Sequence, residues 1–173
     1  MHFSTLFKYC PVCGSSTFVL NNEKSKRCES CGFVYYINPS AAVAAFILND
    51  KGELLVCKRA KEPAKGTWDL PGGFVDSAET AEEAIRREVK EEINADVTTA
   101  QYMFSLPNEY EYSGMTIPTL DMFFFCKLNS IEGLMAADDV ESYFFVSLNE
   151  LSPDNFGLKS IKIGISLFLE FKG

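Results

Sequence analysis

Residues Gly73–Ala95, GFVDSAETAEEAIRREVKEEINA, constrain the fold of this chain more than any other stretch. They read as a glycine turn followed by one helix, expected from Thr80 to Ile93. Ala81, Ala84, Ile85 and Val89 recur at helical spacing and give that helix a face for packing on a sheet. The same helix carries Glu88, Glu91 and Glu92 at i, i+3 and i+4. At about 100° per residue they share an arc of roughly 100° on one face. Like charges at this spacing repel and destabilise an isolated helix. A dense anionic cluster beside a glycine turn therefore asks for a cation, and Mg²⁺ or Mn²⁺ suits carboxylate oxygens and phosphates. Charge runs usually mark a solvated helix face. That reading leaves Gly73 and Glu79, in register upstream, without an explanation.

The spacing of Gly73, Glu79 and Arg87-Glu88-Val89-Lys90-Glu91-Glu92 resembles the Nudix box. Two residues at its end depart from the pattern: Asn94 and Ala95 stand where the family has Gly and an aliphatic residue. Asn is the second choice for a left-handed helix C-cap, so the same turn is expected. Trp68-Asp69-Leu70-Pro71-Gly72-Gly73 extends the resemblance upstream as a W-x-L-P-G-G run. The resemblance implies an α/β/α sandwich with a mixed sheet, and a metal-dependent hydrolase of phosphoanhydrides. It implies that Glu88, Glu91 and Glu92 hold the Mg²⁺ or Mn²⁺ together with the Gly72 carbonyl. Glu91 or Glu92 is the expected general base, with Asp138, Asp139 or Glu141 as the alternative. Glu79 and Arg87 are expected to orient the cluster, although both residue types are common on exposed helices.

The 173 residues suffice for one full domain plus an appendage. No run of some 18 apolar residues is present, and the N-terminus lacks the apolar stretch of a signal peptide, so a cytoplasmic location is expected. The net charge of −8 argues against a chain that holds nucleic acid mainly through phosphate contacts. An acidic enzyme acting on anionic phosphates resolves the conflict locally with bound divalent metal.

The six cysteines fall into two groups. Cys57 and Cys126 lie inside apolar, strand-like runs and read as small core residues. Cys10-x2-Cys13 and Cys28-x2-Cys31 read as a four-thiolate structural zinc site, each pair followed by glycine (Gly14, Gly32) for a tight left-handed turn. A disulfide framework is disfavoured by a reducing compartment. Residues 1–36 are thus expected to form a zinc ribbon, with Phe18, Val19, Phe33, Val34, Tyr35 and Tyr36 as its apolar residues. Asn38-Pro39-Ser40 marks the boundary to a catalytic domain over 37–173. The ribbon's basic excess is cancelled by four zinc-bound thiolates, which makes it a poor grip for nucleic acid. Its expected role is structural, with contacts in a homodimer as a candidate. His2 is expected to be idle.

Beyond the ribbon, Ala41–Leu48 and Leu54–Lys58 read as strands joined by the Asn49-Asp50-Lys51-Gly52 turn. Val97–Phe104 and Leu120–Leu128 read as long strands, the second central because it is nearly all apolar. Ser142–Val146 reads as a strand, Leu148–Leu151 as a short helical turn. Leu158, Ile161, Ile165 and Phe168 predict a C-terminal helix over the sheet, with Gly164 as its weak point. A zinc ribbon ahead of such a domain resembles the NADH pyrophosphatase and ADP-ribose pyrophosphatase branch of the family. Ser105-Leu106-Pro107-Asn108-Glu109-Tyr110-Glu111-Tyr112-Ser113 lacks the Trp and Gln of that branch's signature, which leaves NADH preference open. Arg59 is a candidate for phosphate binding. Tyr110 and Tyr112 are candidates for stacking on a substrate ring, or for cross-strand pairing in a hairpin turning at Ser113-Gly114. Trp68 reads more readily as a packing anchor than as a stacking residue.

Two functions of different class follow. The first is a pyrophosphohydrolase that cleaves a nucleoside diphosphate linked to another group, ADP-ribose or NAD(H) foremost, giving a nucleoside monophosphate and a phosphorylated product. The second is a non-catalytic nucleotide sensor with the ribbon as a partner-binding module. Three mutually repelling glutamates favour the first, since binding alone does not require them.

Overall fold

The computed structural model describes residues 7–172, so His2 and the start of the expected ribbon lie outside the described residues. The chain divides into two compact units. One comprises the residues through Ser40 together with Glu109–Thr119, the other Ala41–Asn108 with Leu120 onward.

In the first unit, β1 (Phe18–Asn22), β2 (Ser25–Cys28) and β3 (Val34–Tyr36) form an antiparallel sheet in that order. The two turns before it are built alike. Gly14 N donates to the Cys10 carbonyl and Gly32 N to the Cys28 carbonyl, both at 2.9 Å, with φ of 72° and 76°. Left-handed backbone of this kind is what glycine permits at little cost. The core here is small: Cys10, Phe18 and Cys28 are buried and Phe33 packs on them. Of the module's other apolar residues, Val19, Tyr35 and Tyr36 are exposed. Only one face of so short a sheet is covered, and the cysteine cluster occupies the centre. Lys26 is buried with its ammonium 5.1 Å above the Phe18 ring and donates to the Phe7 carbonyl, so its charge is not stranded.

The remaining strands divide between two sheets. β4 (Ser40–Ile47), β7 (Gly72–Phe74), β8 (Val97–Tyr112) and β9 (Met115–Leu128) stand in the order β7-β4-β9-β8. β5 (Leu54–Arg59), β6 (Trp68–Asp69) and β10 (Val140–Val146) stand in the order β10-β5-β6. The expected β4–β5 hairpin therefore turns at Asn49–Gly52 but pairs only through the Leu48–Leu54 bridge. β4 takes β7 and β9 as neighbours while β5 takes β6 and β10. β8 and β9 are longer than expected and turn at Ser113 and Gly114, both at positive φ as a two-residue hairpin turn requires. β9 is central, as its apolar run implied.

Both sheets share the same two helices, which gives the α/β/α layering expected. α1 (Ala81–Ile93) buries Ala84, Ile85, Val89 and Ile93 against Val43, Ala45 and Ile47 of β4 and Leu55 and Cys57 of β5. The alternate residues of the same strands, Ala44, Phe46, Leu54 and Val56, face α2 (Lys159–Lys172) through Ile161, Ile165 and Phe168. Period-two alternation thus feeds one core on each side. Phe46 stacks on Phe168 with centroids 4.1 Å apart, and each such fully buried ring contributes about 1.5–3 kcal/mol. Gly164 has its reason: a Cβ there would lie 2.5 Å from the Phe123 ring. At the start of α2, Ser160 Oγ and Asn108 Nδ2 donate to the buried Asp121 carboxylate at 2.5 and 3.0 Å, docking the helix on β8 and β9. The expected helical turn at 148–151 is a plain turn. A 3-10 turn follows instead at Pro153–Asn155, where proline suits a first turn.

Candidate active site

α1 is fixed at both ends by its own sequence. Thr80 Oγ1 accepts from Glu83 N, and the Glu83 carboxylate accepts from Thr80 N at 2.8 Å, a reciprocal capping box. Asn94 ends the helix at φ 56° and ψ 34°, its N–H donating to the Lys90 carbonyl. This is the left-handed cap expected of Asn in place of Gly.

The three glutamates differ in environment. Glu92 lies on the buried stripe with Ile85, Val89 and Ile93 and is 6% exposed. The Glu88 side chain is 12% exposed and that of Glu91 51%. Glu92 Oε2 accepts from Gly72 N at 2.9 Å. Burial pushes the Glu92 carboxyl well above the ordinary range, against the Gly72 hydrogen bond, and the charges of Asp69, Glu88 and Asp139 push it further. Burial likewise raises Glu88. A carboxyl held up by burial among other carboxylates is a candidate for a functional site on physical grounds.

Arg87 organises the rim. Its Nε and Nη2 donate to the two oxygens of Glu79 at 2.9 Å, Nη1 to Glu88 and Glu91 at 2.7 and 3.0 Å, and Nη2 also to the Phe74 carbonyl at 3.0 Å. The Arg87 side chain holds the Glu79 carboxyl below its ordinary range, with help from Asp76 N. One guanidinium thus ties the glycine turn, Glu79 and two of the three helix glutamates together, the fork geometry for which arginine is suited.

The glycines bring the backbone close to this cluster. Gly72 has φ 154°, and a Cβ there would lie 2.0 Å from the Val43 carbonyl oxygen, across the β4–β7 pairing. A Cβ on Gly73 would lie 2.6 Å from the Glu88 carboxylate. The two alanine variants should therefore fail differently. Gly72→Ala meets backbone and should cost about 1–3 kcal/mol or more by overpacking. Gly73→Ala meets the tip of a side chain that can swing away, so it should keep its melting temperature and lose on the order of 10²-fold in turnover by misplacing Glu88. Equal loss of stability in both would contradict this division. A backbone brought up against Glu88 and Glu92 and a set of partly uncompensated oxygens suit a hard divalent cation.

The other candidates are placed as follows. The Arg59 guanidinium is 12% exposed; it pairs with the buried carboxylate of Asp69, and Nε donates to the Pro63 carbonyl at 2.7 Å. Asp69, whose carboxyl is raised by burial despite Arg59, was not marked by the sequence; only its place in the W-x-L-P-G-G run hinted at it. Asp138 bears electrostatically on Glu88, and Glu141 pairs with Lys58 at 2.9 Å. Tyr110 and Tyr112 belong to the unit that contains the ribbon, outside the unit that carries the glutamates. Trp68 packs edge-on against Phe144 and Phe156 at 5.1 and 5.9 Å. Cys57 and Cys126 are buried.

The Sγ atoms of Cys10, Cys13, Cys28 and Cys31 all lie within 4.8 Å of one another. Cys10 and Cys31 are 3.7 Å apart and Cys13 and Cys28 3.6 Å. These are not disulfide lengths, which are about 2.05 Å. Four sulfurs at about 2.3 Å from one ion, in a tetrahedron, stand roughly 3.8 Å apart, so the cluster can bind zinc. The Cys31 N–H, ahead of other contacts, draws the Cys28 thiol down to about 6, while contacts with the neighbouring cysteines push Cys13 and Cys31 up.

Comparison with known proteins fits this geometry. The NUDIX domain model matches residues 38–163. The chain is 32% identical over 108 residues to the NAD-capped RNA hydrolase NudC of Chromobacterium violaceum, covering 62% of this chain and 40% of that protein. It is 37% identical over 119 residues to an ADP-ribose pyrophosphatase of Methanocaldococcus jannaschii, covering 67% of this chain and 66% of that protein. A NUDIX hydrolase from Nitrosomonas europaea has the same fold, with a TM-score of 0.75 at 24% identity over 94% of this chain and 90% of that one. The chain spans about a third to a little over half the length of the NudC proteins that it matches. With the family model covering most of its length, the chain belongs to the Nudix family, and its fold is that of the Nudix hydrolases.

Proposed function

We propose that this protein is a divalent-metal-dependent pyrophosphohydrolase. It cleaves a nucleoside diphosphate joined to a second group, ADP-ribose or NAD(H) foremost, into a nucleoside monophosphate and a phosphorylated remainder. One observation carries the reading: Glu92 is a buried carboxylate on the apolar stripe of α1, facing the Gly72 amide and lying among further carboxylates. A structural helix gains nothing from such a residue, because burying a carboxylate costs free energy unless a cation compensates it.

Glu88, Glu91, Glu92 and the Gly72 carbonyl would hold the Mg²⁺ or Mn²⁺, which would supply positive charge against the diphosphate and Lewis acidity for activating water. Glu91 or Glu92 would take a proton from the attacking water, Glu91 being the half-exposed one of the two. Arg87 keeps Glu88 and Glu91 on one side, with Glu79 as its brace. Tyr110 and Tyr112 are candidates for stacking on a substrate ring. Cys10, Cys13, Cys28 and Cys31 would hold a structural Zn²⁺ in a ribbon over 1–36, ahead of a catalytic domain over 37–173. The ribbon is also where contacts in a homodimer would be sought. The location proposed is the cytoplasm; among the described residues no helix is long and apolar enough to cross a membrane.

The test is product analysis with Mg²⁺ or Mn²⁺ on ADP-ribose, NADH, NAD⁺, diadenosine polyphosphates, FAD and nucleoside triphosphates. NAD-capped RNA joins the panel because NudC relatives are named for it, although the acidic chain argues against a grip on RNA. Metal-dependent release of a nucleoside monophosphate, absent in Glu92→Gln, is the expected result. Tight binding without turnover across the panel would favour the sensor instead.

A further inference from the structure

The β5–β6 connection carries a lysine that this chemistry leaves unused. Lys61 Nζ lies 3.1 Å from Asp138 Oδ1 and forms a second ion pair with Asp139. These two carboxylates belong to a turn that is fastened on both sides. Met135 N donates to the Ile93 carbonyl at 3.1 Å and Ala137 N to the Glu92 carbonyl at 2.8 Å, which ties the turn to the end of α1. Ala60 N donates to the Asp139 carbonyl at 2.8 Å, which ties it to the loop bearing Lys61.

The neighbouring guanidinium groups are committed elsewhere. Arg87 is divided among Glu79, Glu88, Glu91 and the Phe74 carbonyl. Arg59 is enclosed with Asp69 and the Pro63 carbonyl. Lys61, by contrast, keeps 60% of its side chain exposed. An ammonium has three donors. Asp138 and Asp139 engage two, so a third can turn toward an incoming oxygen.

We propose that Lys61 is a substrate-binding residue that takes a phosphate oxygen of the diphosphate, poised at the rim of the glutamate cluster by Asp138 and Asp139. This rests on the pyrophosphohydrolase reading. The acidic rim repels a free diphosphate, and an ammonium offsets that repulsion at the point of entry. Holding the long side chain beforehand spares part of the ordering cost that a free lysine would meet on binding. A point charge of this kind attracts the diphosphate in the ground state and in the transition state alike, so its loss should appear in KM and leave kcat nearly unchanged.

The experiment compares the wild type with Lys61→Met, Lys61→Arg and the nearby control Lys65→Met. On the best substrate of the panel, Lys61→Met should raise KM about tenfold with kcat within about threefold. Lys61→Arg should recover most of the loss, and Lys65→Met should change neither. Inorganic pyrophosphate, which presents the diphosphate alone, should weaken about tenfold as a competitive inhibitor of Lys61→Met. Exposed ion pairs add little stability, so all four proteins should melt alike. Unchanged KM and pyrophosphate inhibition in Lys61→Met, or a fall in kcat alone, would overturn the assignment. Calorimetric binding of ADP-ribose with Mg²⁺ separates the two levels of the argument. A wild type that binds without turnover defeats the hydrolase reading, while the dissociation constant of Lys61→Met still decides the lysine.

Discussion

Glu92→Gln is expected to lower turnover by about 10²–10⁴-fold or more while making the protein without added divalent ion more stable at neutral pH. The two effects have one origin. In the folded chain the Glu92 carboxyl is held up by burial first, with Asp69, Glu88 and Asp139 adding to the shift. Between the ordinary glutamate value of 4.5 and the raised folded value, the native state keeps a proton that the unfolded chain has lost. Stability therefore falls as pH rises through that window. Glutamine has no such titration, and its side-chain oxygen can still accept from Gly72 N. The variant should melt higher than the wild type at pH 7, by about 2–4 °C per kcal/mol relieved in a domain of this size. The gap should close as pH falls below the ordinary glutamate value, where both states of the wild type are protonated. Melting curves from pH 4 to pH 8 without added Mg²⁺ check this. A Glu92→Gln variant that melts lower at pH 7 would mean that the charge of Glu92 stabilises the fold and is not held in reserve for a cation. Glu91→Gln makes a useful partner: its side chain is half exposed, so turnover should fall with little change in melting temperature.

Much of this was legible in the sequence, for reasons that differ from element to element. α1 was bounded correctly because its signals are local: a capping box at one end and a left-handed Asn at the other. The CxxCG turns were legible because only a few backbone shapes suit glycine after such a pair. The split of the strands into two sheets was not legible. Periodicity shows which residues of β4 and β5 face inward; which strand lies beside each is decided by partners far along the chain. Which of the first unit's apolar residues are buried was not legible either, since a core built around sulfurs leaves Val19, Tyr35 and Tyr36 outside.

At the site, spacing placed Glu88, Glu91 and Glu92 on one face but could not rank them. The ranking comes from Val89 and Ile93, which carry Glu92 into the core with them. That signal was available, because Glu92 falls seven residues after Ile85 on the apolar stripe. The Arg59–Asp69 pair and the Lys61 contacts with Asp138 and Asp139 were out of reach. Each joins residues whose proximity depends on the β5–β6 and β5–β10 pairings.

Removing one thiol of the four-cysteine cluster, as in Cys28→Ser, is expected to unfold the proposed zinc ribbon while kcat in Mg²⁺ survives. Cys28 is fully buried, and with Cys10 and Phe18 it makes up the buried core of the first unit. A sheet of three short strands with so few buried side chains does not hold its shape by the hydrophobic effect alone. In isolated zinc fingers metal binding supplies about 10–16 kcal/mol, and that binding energy is folding energy. The purified wild type should carry one zinc per chain and the variant none. Hydrogen exchange should show lost protection in β1, β2 and β3, and in Glu109–Thr119, which belong to the same compact unit. Protection in α1 and β4 should persist, since their core is formed by residues of the other unit. Loss of kcat with the amides of α1 still protected would give the zinc site a part in the chemistry. Four cysteines would fill every position of a tetrahedral zinc ion and leave no coordination site open for such a part.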